Sequence, residues 1–190
     1  MKKLIVFVLW IAGSFLGAEA QNRSIDFEQT KEWKQVLKKA KKEKKLIFVD
    51  CYTSWCGPCK MLANNIFTKD EVADYFNSHF VCAKYDMEKD ADGVMLKKQF
   101  GVKAFPTLVF VEPATQQVVH RMVGAGSADW LIAGAKLAND PQNNLSAMIR
   151  RYDAGERDGQ FLSAYLAALA VAYMTCLLYT SAAADDKARV

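Results

Sequence analysis

The sequence predicts an α/β fold in which a central mixed β-sheet is flanked by helices, with a short helical extension at the carboxyl end. Apolar, β-rich runs alternate with helical patterns in the first half of the chain, as in a β-α-β unit. Two adjacent strand patterns followed by a helix form the second half. The 190 residues are enough for one modest domain with additions.

Four strands are predicted from apolar, β-rich runs. The first run, Leu46–Tyr52, is almost continuously apolar, as expected of a strand buried on both faces of a sheet. The last two runs flank a polar segment with a proline, which predicts an antiparallel hairpin with a longer loop. The predicted strands cover residues 46–52, 80–85, 107–111 and 118–123.

Helices are predicted between and after these strands. Apolar residues recur at helical spacing from Trp33 to Ala40, opposite a row of lysines. Residues 68–71 form a capping-box pattern that starts a helix reaching residue 76, and residues 92–100 form the next helix. Ser127 is expected to cap the helix that follows the hairpin.

Two cysteines carry the chemistry. Cys56 and Cys59 lie in the string Trp-Cys-Gly-Pro-Cys-Lys, between a strand and a helix that starts inside the string. This places the first sulfur at the positive end of the helix macrodipole, which favours a thiolate. Pro58 fits there because the first helical turn has no partner for its missing N–H. We expect Cys56, at the more exposed end, to be the nucleophile and Cys59 to be the shielded, resolving thiol.

A zinc site is the alternative use of this cysteine spacing, but it needs a second ligand pair. His79 and His120 are not spaced as a pair, and the remaining cysteines, Cys51, Cys82 and Cys176, occur singly. We therefore predict a redox dithiol with no metal and no cofactor. Cys51 and Cys82 are expected to be inert buried thiols, although a bridge between Cys51 and Cys56 stays open.

The ends of the chain differ from its middle. Residues 1–20 combine a basic start, an apolar stretch and a small-x-small cleavage pattern, which predicts a signal peptide. The mature chain is then expected to begin at Gln21 and to be exported to the periplasm, and an uncleaved membrane anchor is the alternative. Residues 21–139 are assigned to the main domain.

Two apolar stripes predict a helical hairpin over residues 140–175. Such a hairpin either packs back on the main domain or begins a helical-repeat array that the chain cuts short. Within the tail over residues 176–190, residues 176–181 resemble the peptide encoded by a transposase sequencing adapter, and residues 183–186 resemble its continuation. We therefore expect that tail to be non-native.

The charge of the chain excludes a class of partner. The formal net charge is +4, and removal of residues 1–20 leaves 23 basic and 20 acidic residues, a net of +3. This excess is too small to indicate nucleic-acid binding. The lysine row between residues 31 and 45 is interpreted as a solvated helix face, with a docking patch as the alternative.

Several motifs between residues 46 and 126 resemble the thioredoxin family. Trp-Cys-Gly-Pro-Cys-Lys is the active-site string of that family, and Asp50 lies six residues before Cys56, in the position of its buried aspartate. The other matching positions are the cis-proline loop Phe105-Pro106-Thr107, the glycine region at Gly124 and the lysine at Lys84. The paired strand-helix units, the inserted helix at residues 68–76 and the signal peptide resemble the periplasmic thiol:disulfide interchange branch of the family more than cytosolic thioredoxin.

This resemblance implies a thioredoxin fold and a thiol:disulfide oxidoreductase that mainly reduces disulfides of substrate proteins. A membrane-linked electron donor and a monomeric state are expected with it. Asp50 would exchange a proton with Cys59, Lys84 would tune the charge of Asp50, and Pro106 would be cis. The implied substrate-binding residues are Trp55, Gly57, Pro58, Phe105, Thr107 and Gly124.

Two other functions stay open. The same dithiol chemistry could run as a disulfide oxidase or isomerase, and the helical extension could make the protein a partner-binding module with secondary redox activity. Phe105 departs from the smaller aliphatic residue usual in the family. The substrate preference therefore stays open as well.

Overall fold

The computed structural model describes residues 23–174. The predicted signal peptide, the predicted start of the mature chain at Gln21, and the tail over residues 176–190 lie outside the described residues. Within residues 23–174, no helix is both long enough and apolar enough to cross a bilayer.

A four-stranded mixed sheet forms the centre of the fold. Its strands are β1 (Leu46–Tyr52), β2 (Phe80–Asp86), β3 (Thr107–Val111) and β4 (Val118–Val123), and they lie in the order β2-β1-β3-β4. Strand β1 pairs parallel with β2 and antiparallel with β3, and β3 pairs antiparallel with β4. The predicted antiparallel hairpin is therefore confirmed.

Helices surround this sheet. They are α1 (Trp33–Glu43), α2 (Gly57–Met61), α3 (Asp70–His79), α4 (Ala91–Gln99), α5 (Ala128–Ala138), α6 (Leu145–Asp153) and α7 (Gly159–Val171). A π-helical segment, Leu62–Ile66, continues directly from α2. The order β-α-β followed by β-β-α confirms the predicted fold class.

Two apolar layers, one on each face of the sheet, make the core. One layer includes Phe48, Phe76, Leu108, Phe110 and Leu131. The other includes Trp33, Val36, Val49, Tyr85, Leu96 and Val109. Strand β1 contributes to both layers, which is why its sequence is a nearly continuous apolar run.

The predicted capping box at residues 68–71 is wrong. Helix α3 begins at Asp70, and its preceding residue, Lys69, makes no side-chain cap. The hydroxyl of Thr68 instead donates to the carbonyl of Asn64 at 2.8 Å. The reason is the π-helical segment, which extends the preceding helix until Thr68 closes its end. The predicted cap at Ser127 is confirmed, since its hydroxyl accepts the N–H of Trp130 at 3.2 Å.

The two C-terminal helices pack back on the sheet. Helices α6 and α7 contact each other and strand β4. They enclose their own apolar cluster, which includes Leu145, Met148, Phe161, Tyr165 and Leu169. The N–H of Leu145 donates to Nδ1 of buried His120 at 3.3 Å, so the start of α6 is bonded to β4. Of the two arrangements expected for this hairpin, the structure has the one packed on the main sheet.

Candidate active site

Cys56 and Cys59 form a disulfide at the start of α2. The S–S distance is 2.10 Å and the two Cα atoms are 5.3 Å apart. Cys56 is the N-cap of α2, and its sulfur accepts the N–H of Cys59 at 3.1 Å. Pro58 lies in the first turn of that helix. The predicted redox pair is therefore present, at the start of a helix as expected.

The expected difference in exposure between the two cysteines is wrong for the disulfide form. Cys56 is 3% exposed and Cys59 is 4% exposed, because the sulfur of Cys56 turns inward toward the N–H of Cys59. Gly57 and Pro58, which link the two cysteines, are exposed. Position still distinguishes the two cysteines: Cys56 caps the helix, whereas Cys59 lines a partly open pocket together with Asp50.

Asp50 is a buried carboxyl in the middle of the sheet. It lies on β1 between Lys84 of β2 and Leu108 of β3, and only 4% of it is exposed. Among the described residues, its Oδ1 atom has no hydrogen-bond partner. Burial raises the pKa of Asp50 to about 7, against the opposing effect of the positive charges of Lys84 and Lys31. A carboxyl with this pKa can both accept and release a proton near neutral pH.

A cavity of about 200 Å³ connects Asp50 with the resolving cysteine. Its lining residues are Asp50, Tyr52, Thr53, Ser54, Cys59, Lys60, Ala63 and Lys84. A pocket of this size that includes a buried carboxyl has room for water. The Asp50 carboxyl and Cys59 therefore face the same solvent-sized space. The role of Asp50 in proton exchange with Cys59 stays a prediction.

Two lysines lie on the side of the sheet near Asp50. Lys84 is exposed, and its Nζ atom lies 5.1 Å from the centroid of the Phe27 ring. Lys31 donates to the carbonyl oxygen of Lys84 at 2.8 Å and pairs with Asp90 at 3.1 Å. Lys31 was not predicted as a site residue, because the row of lysines to which it belongs was interpreted as a solvated helix face.

The cis-proline loop lies where the motif predicts it. The Phe105–Pro106 peptide bond is cis, as expected. The N–H of Gly124 donates to the carbonyl of Pro106 at 2.9 Å, and the φ angle of Gly124 is 96°, a conformation that favours glycine. Thr107 is 1% exposed, and its hydroxyl donates to the carbonyl of Ala104 at 2.7 Å. The side chain of Thr107 is therefore closed to a substrate, and its backbone lies between Cys51 of β1 and Val123 of β4.

An aromatic pair forms the rim of the site. Trp55 is 65% exposed and lies nearly perpendicular to Phe105, with ring centroids 6.0 Å apart. Its indole N–H donates to Glu88 at 2.8 Å, and the Nζ atom of Lys97 lies 5.2 Å from the centroid of the Phe105 ring. The predicted substrate-binding role of Trp55 and Phe105 stays a prediction, and Glu88 and Lys97, which contact these two rings, were missed by sequence reasoning.

Asp86 is a second buried carboxylate that sequence reasoning missed. It is 4% exposed and accepts the N–H of Ser54 at 3.1 Å. It also accepts the N–H groups of Glu88 and Lys89 at 3.0 and 3.2 Å. Asp86 therefore bonds the loop before the disulfide to the turn after β2. Its position at the end of a strand beside the active-site loop is the signal that could have indicated it.

The two other described cysteines are free and buried. Burial raises the pKa of both Cys51 and Cys82, so their thiols stay protonated and unreactive. The expectation of buried thiols is confirmed. Within the described residues, no cluster of His, Cys, Asp and Glu side chains is arranged to hold a metal ion.

Comparison with known proteins agrees with this geometry. The Thioredoxin family model matches residues 24–136. Thioredoxin H4 of Arabidopsis thaliana is 39% identical over 97 residues, which is 51% of this chain and 75% of that protein. Thioredoxin H2 of the same plant is 34% identical over 111 residues, covering 57% of this chain and 76% of that protein.

Solved structures show the same likeness. A provisionally named disulphide isomerase from Bacteroides thetaiotaomicron is 48% identical, with a TM-score of 0.56, and the match covers 64% of this chain and 98% of that one. A thioredoxin from Thermus thermophilus, 16% identical with a TM-score of 0.56 over 71% of this chain and 99% of that one, shows the shared fold.

Fold, disulfide and cis-proline loop together define a thiol:disulfide oxidoreductase with a redox-active cysteine pair. The chain belongs to the thioredoxin family.

Proposed function

We propose that this oxidoreductase is an exported reductase of substrate-protein disulfides. It acts in the periplasm as a monomer and receives its electrons from a membrane-linked donor. The observation that carries the proposal is the disulfide at the start of α2, with Cys59 and buried Asp50 lining one cavity. In this arrangement the Cys56 sulfur accepts the N–H of Cys59, and the Asp50 carboxyl can accept the proton of the Cys59 thiol.

Each turnover moves two electrons to the substrate. The Cys56 thiolate attacks one sulfur of the substrate disulfide, a mixed disulfide forms, and the first substrate thiolate leaves. Asp50 takes the proton of the Cys59 thiol through the cavity. The Cys59 thiolate then attacks the Cys56 sulfur and expels the second substrate thiolate. The protein is left with the Cys56–Cys59 disulfide, which the electron donor must reduce again.

The dipeptide between the cysteines supports the reducing direction. Gly57 and Pro58 resemble the dipeptide of reducing family members, and no histidine lies there to stabilise the thiolate further. The pattern of residues 1–20 supports export. An exported reductase works in an oxidising compartment, so it needs a dedicated source of electrons.

The test is turnover with cysteine variants recovered from the periplasmic fraction, where the amino-terminal residue is expected to be Gln21. With dithiothreitol as donor, the wild-type protein is expected to reduce a protein disulfide, and Cys56→Ser to lose this activity. Cys59→Ser is expected to accumulate a mixed disulfide, because attack proceeds and resolution does not. A buried-thiol variant, Cys82→Ser, is the control and should keep turnover. Full activity in Cys56→Ser would contradict the proposed mechanism.

Isomerase activity is the second candidate. It is favoured by the 48% identity to the provisionally named disulphide isomerase. A reductase and an isomerase share the attack by Cys56, but an isomerase must also reactivate a substrate whose disulfides are mispaired. Recovery of such a scrambled substrate without net reduction would favour the isomerase.

A further inference from the structure

A cleft with a basic lining lies beside the cis-proline loop. Its walls come from the end of α4 and the loop after it, from strand β4, and from the segment just after α7. Its volume is about 630 Å³. The lining residues that matter are Lys98, Lys103, Ala104, Arg121 and Tyr173. We call it the α4–β4 cleft.

The charge of the α4–β4 cleft is not neutralised by its own walls. Three of its described lining residues, Lys98, Lys103 and Arg121, are basic and none is acidic. Within the part of the chain that the structure describes, none of the three forms a salt bridge. Several lysines around α1 do pair with acidic side chains, among them Lys31, Lys39 and Lys45. The α4–β4 cleft therefore brings three basic side chains together without an acidic partner among the described residues, next to the cis-proline loop.

Arg121 is held in place at the inner wall of the cleft. Its guanidinium donates to the carbonyl oxygens of Phe100 and Gly101, at the end of α4. It lies opposite Val109 in the β3–β4 ladder and is half-buried. A guanidinium fixed in this way presents its charge without the entropic cost of ordering a free side chain. The exposed Lys98 and Lys103 add two mobile positive charges at the rim.

The shape of the cleft favours a polypeptide over a flat or a small partner. Ala104 and Thr107, which line it, belong to the loop around Pro106, so a chain paired with that loop continues directly into the cleft. Ala172, Tyr173 and Met174 form an apolar wall that can cover the aliphatic part of a side chain. A small anion would leave this wall in water, and a flat membrane surface would not reach half-buried Arg121.

From this placement we infer that the α4–β4 cleft binds acidic side chains that flank the reactive disulfide of a polypeptide substrate. The inference rests on the proposed function, because it names the substrate class of the same cysteine pair. Lys98, Lys103 and Arg121 then determine specificity, while Cys56 and Cys59 carry out the exchange. Phe105 packs against Trp55 at the rim of the active site, and the Nζ atom of Lys97 lies 5.2 Å from the centroid of the Phe105 ring.

The test compares two synthetic peptides that each contain one internal disulfide and differ only in flanking residues, Glu in one and Gln in the other. The reduced protein is mixed with each peptide, and the second-order rate constant of exchange is measured. At low salt the acidic peptide is expected to react about fivefold faster, and Lys98→Gln with Lys103→Gln is expected to remove most of this preference, because Arg121 is then the remaining basic residue of the described lining. About 1 M salt should have the same effect, since the Debye length falls to about 3 Å.

The matched control is Lys41→Gln with Lys42→Gln, which removes the same charge from the exposed end of α1, next to the start of β1. It is expected to keep the preference for the acidic peptide. Equal rates for the two peptides in the wild type, or an equal loss of preference in the control, would overturn the inference. So would tight binding of the protein to anionic vesicles that the Lys98 and Lys103 substitutions abolish. If neither peptide is reduced at all, the proposed function fails instead.

Discussion

Asp50 is the residue at which the fold and the chemistry constrain each other most directly. Burial on both sides of β1 raises its pKa from an ordinary 3.8 to about 7, although Lys84 and Lys31 act in the opposite direction. A shift of this size corresponds to about 4 kcal/mol. The folded state therefore carries a carboxyl that is costly to ionise, and the same property makes it a proton carrier near neutral pH.

The first prediction is that Asp50→Asn stabilises the oxidised protein in a pH-dependent way. The folded pKa of Asp50 lies above its unfolded pKa, so the contribution of this carboxyl to stability is fully present below about pH 4 and is lost as the pH rises through about 7. Asn does not ionise and escapes this loss. Denaturant unfolding should show little gain at pH 4 and a gain of up to about 4 kcal/mol at pH 8.

The same substitution should lower turnover. At neutral pH the variant has no carboxylate to accept the proton of Cys59, so the resolving step should slow while the fold survives. The check is the pH–rate profile, in which the wild type should show a group titrating near the pKa of about 7. An unchanged profile in Asp50→Asn would reduce Asp50 to a structural residue.

At the residue scale, the sequence predicted what short motifs carry. Cys56, Cys59, Asp50 and Pro106 each lie in a motif, and each is found where that motif places it. The missed residues, among them Lys31, Asp86, Glu88 and Lys97, are charged side chains of common types that reach the site from separate elements. Nothing in local sequence distinguishes such a residue from a solvated one.

At the element scale, a buried histidine bonds the start of α6 to strand β4. His120 is 2% exposed, and its Nδ1 atom accepts the N–H of Leu145 at the start of α6. Burial lowers the pKa of His120 from 6.5 to about 4. The neutral His120 ring therefore accepts the hydrogen bond that joins the C-terminal hairpin to β4. Protonation of Nδ1 would remove this acceptor.

The second prediction concerns the pH dependence that this histidine causes. Its folded pKa lies below its unfolded pKa, so its stabilising effect is present above about pH 6.5 and is lost as the pH falls toward about 4. The loss amounts to about 3 kcal/mol. His120→Asn keeps a hydrogen-bond acceptor but cannot titrate. Whatever its stability at neutral pH, the variant should not show this loss of stability as the pH falls.

The measurement is denaturant unfolding of both proteins at several values between pH 4 and pH 7. Between these values the effects of Asp50 and His120 on the wild type oppose each other, so the wild type should change little. His120→Asn should then lose stability as the pH rises, and Asp50→Asn should gain it. Parallel curves for wild type and His120→Asn would contradict the assignment.

Element boundaries were predictable where one local pattern decides them. Strands β1, β3 and β4 begin and end at the predicted residues, because each is a β-rich segment between polar or turn-forming segments. The start of α3 was not predictable in the same way. The π-helical segment Leu62–Ile66 changes where the preceding helix ends, and this depends on packing that a capping pattern does not contain.

At the scale of the whole molecule, the α4–β4 cleft was beyond sequence reasoning. Its basic residues come from the end of α4, the loop after it, and β4, and its apolar wall comes from the segment after α7. The net charge of +4 gives no hint of the grouping. The fold class was predictable, because the order of strands and helices is recorded along the chain, whereas a surface made of four segments appears only after folding.

The direction of electron flow is the central claim at this scale, and the reduction potential of the Cys56–Cys59 couple tests it most directly. A reductase lies near about −270 mV and a strong oxidase near about −120 mV, and about 30 mV changes the equilibrium constant tenfold. The two cases differ by roughly five powers of ten, so equilibration with glutathione buffers separates them. We expect a value below about −200 mV. A value near about −120 mV would contradict the reductase assignment and leave the fold and the cysteine pair intact.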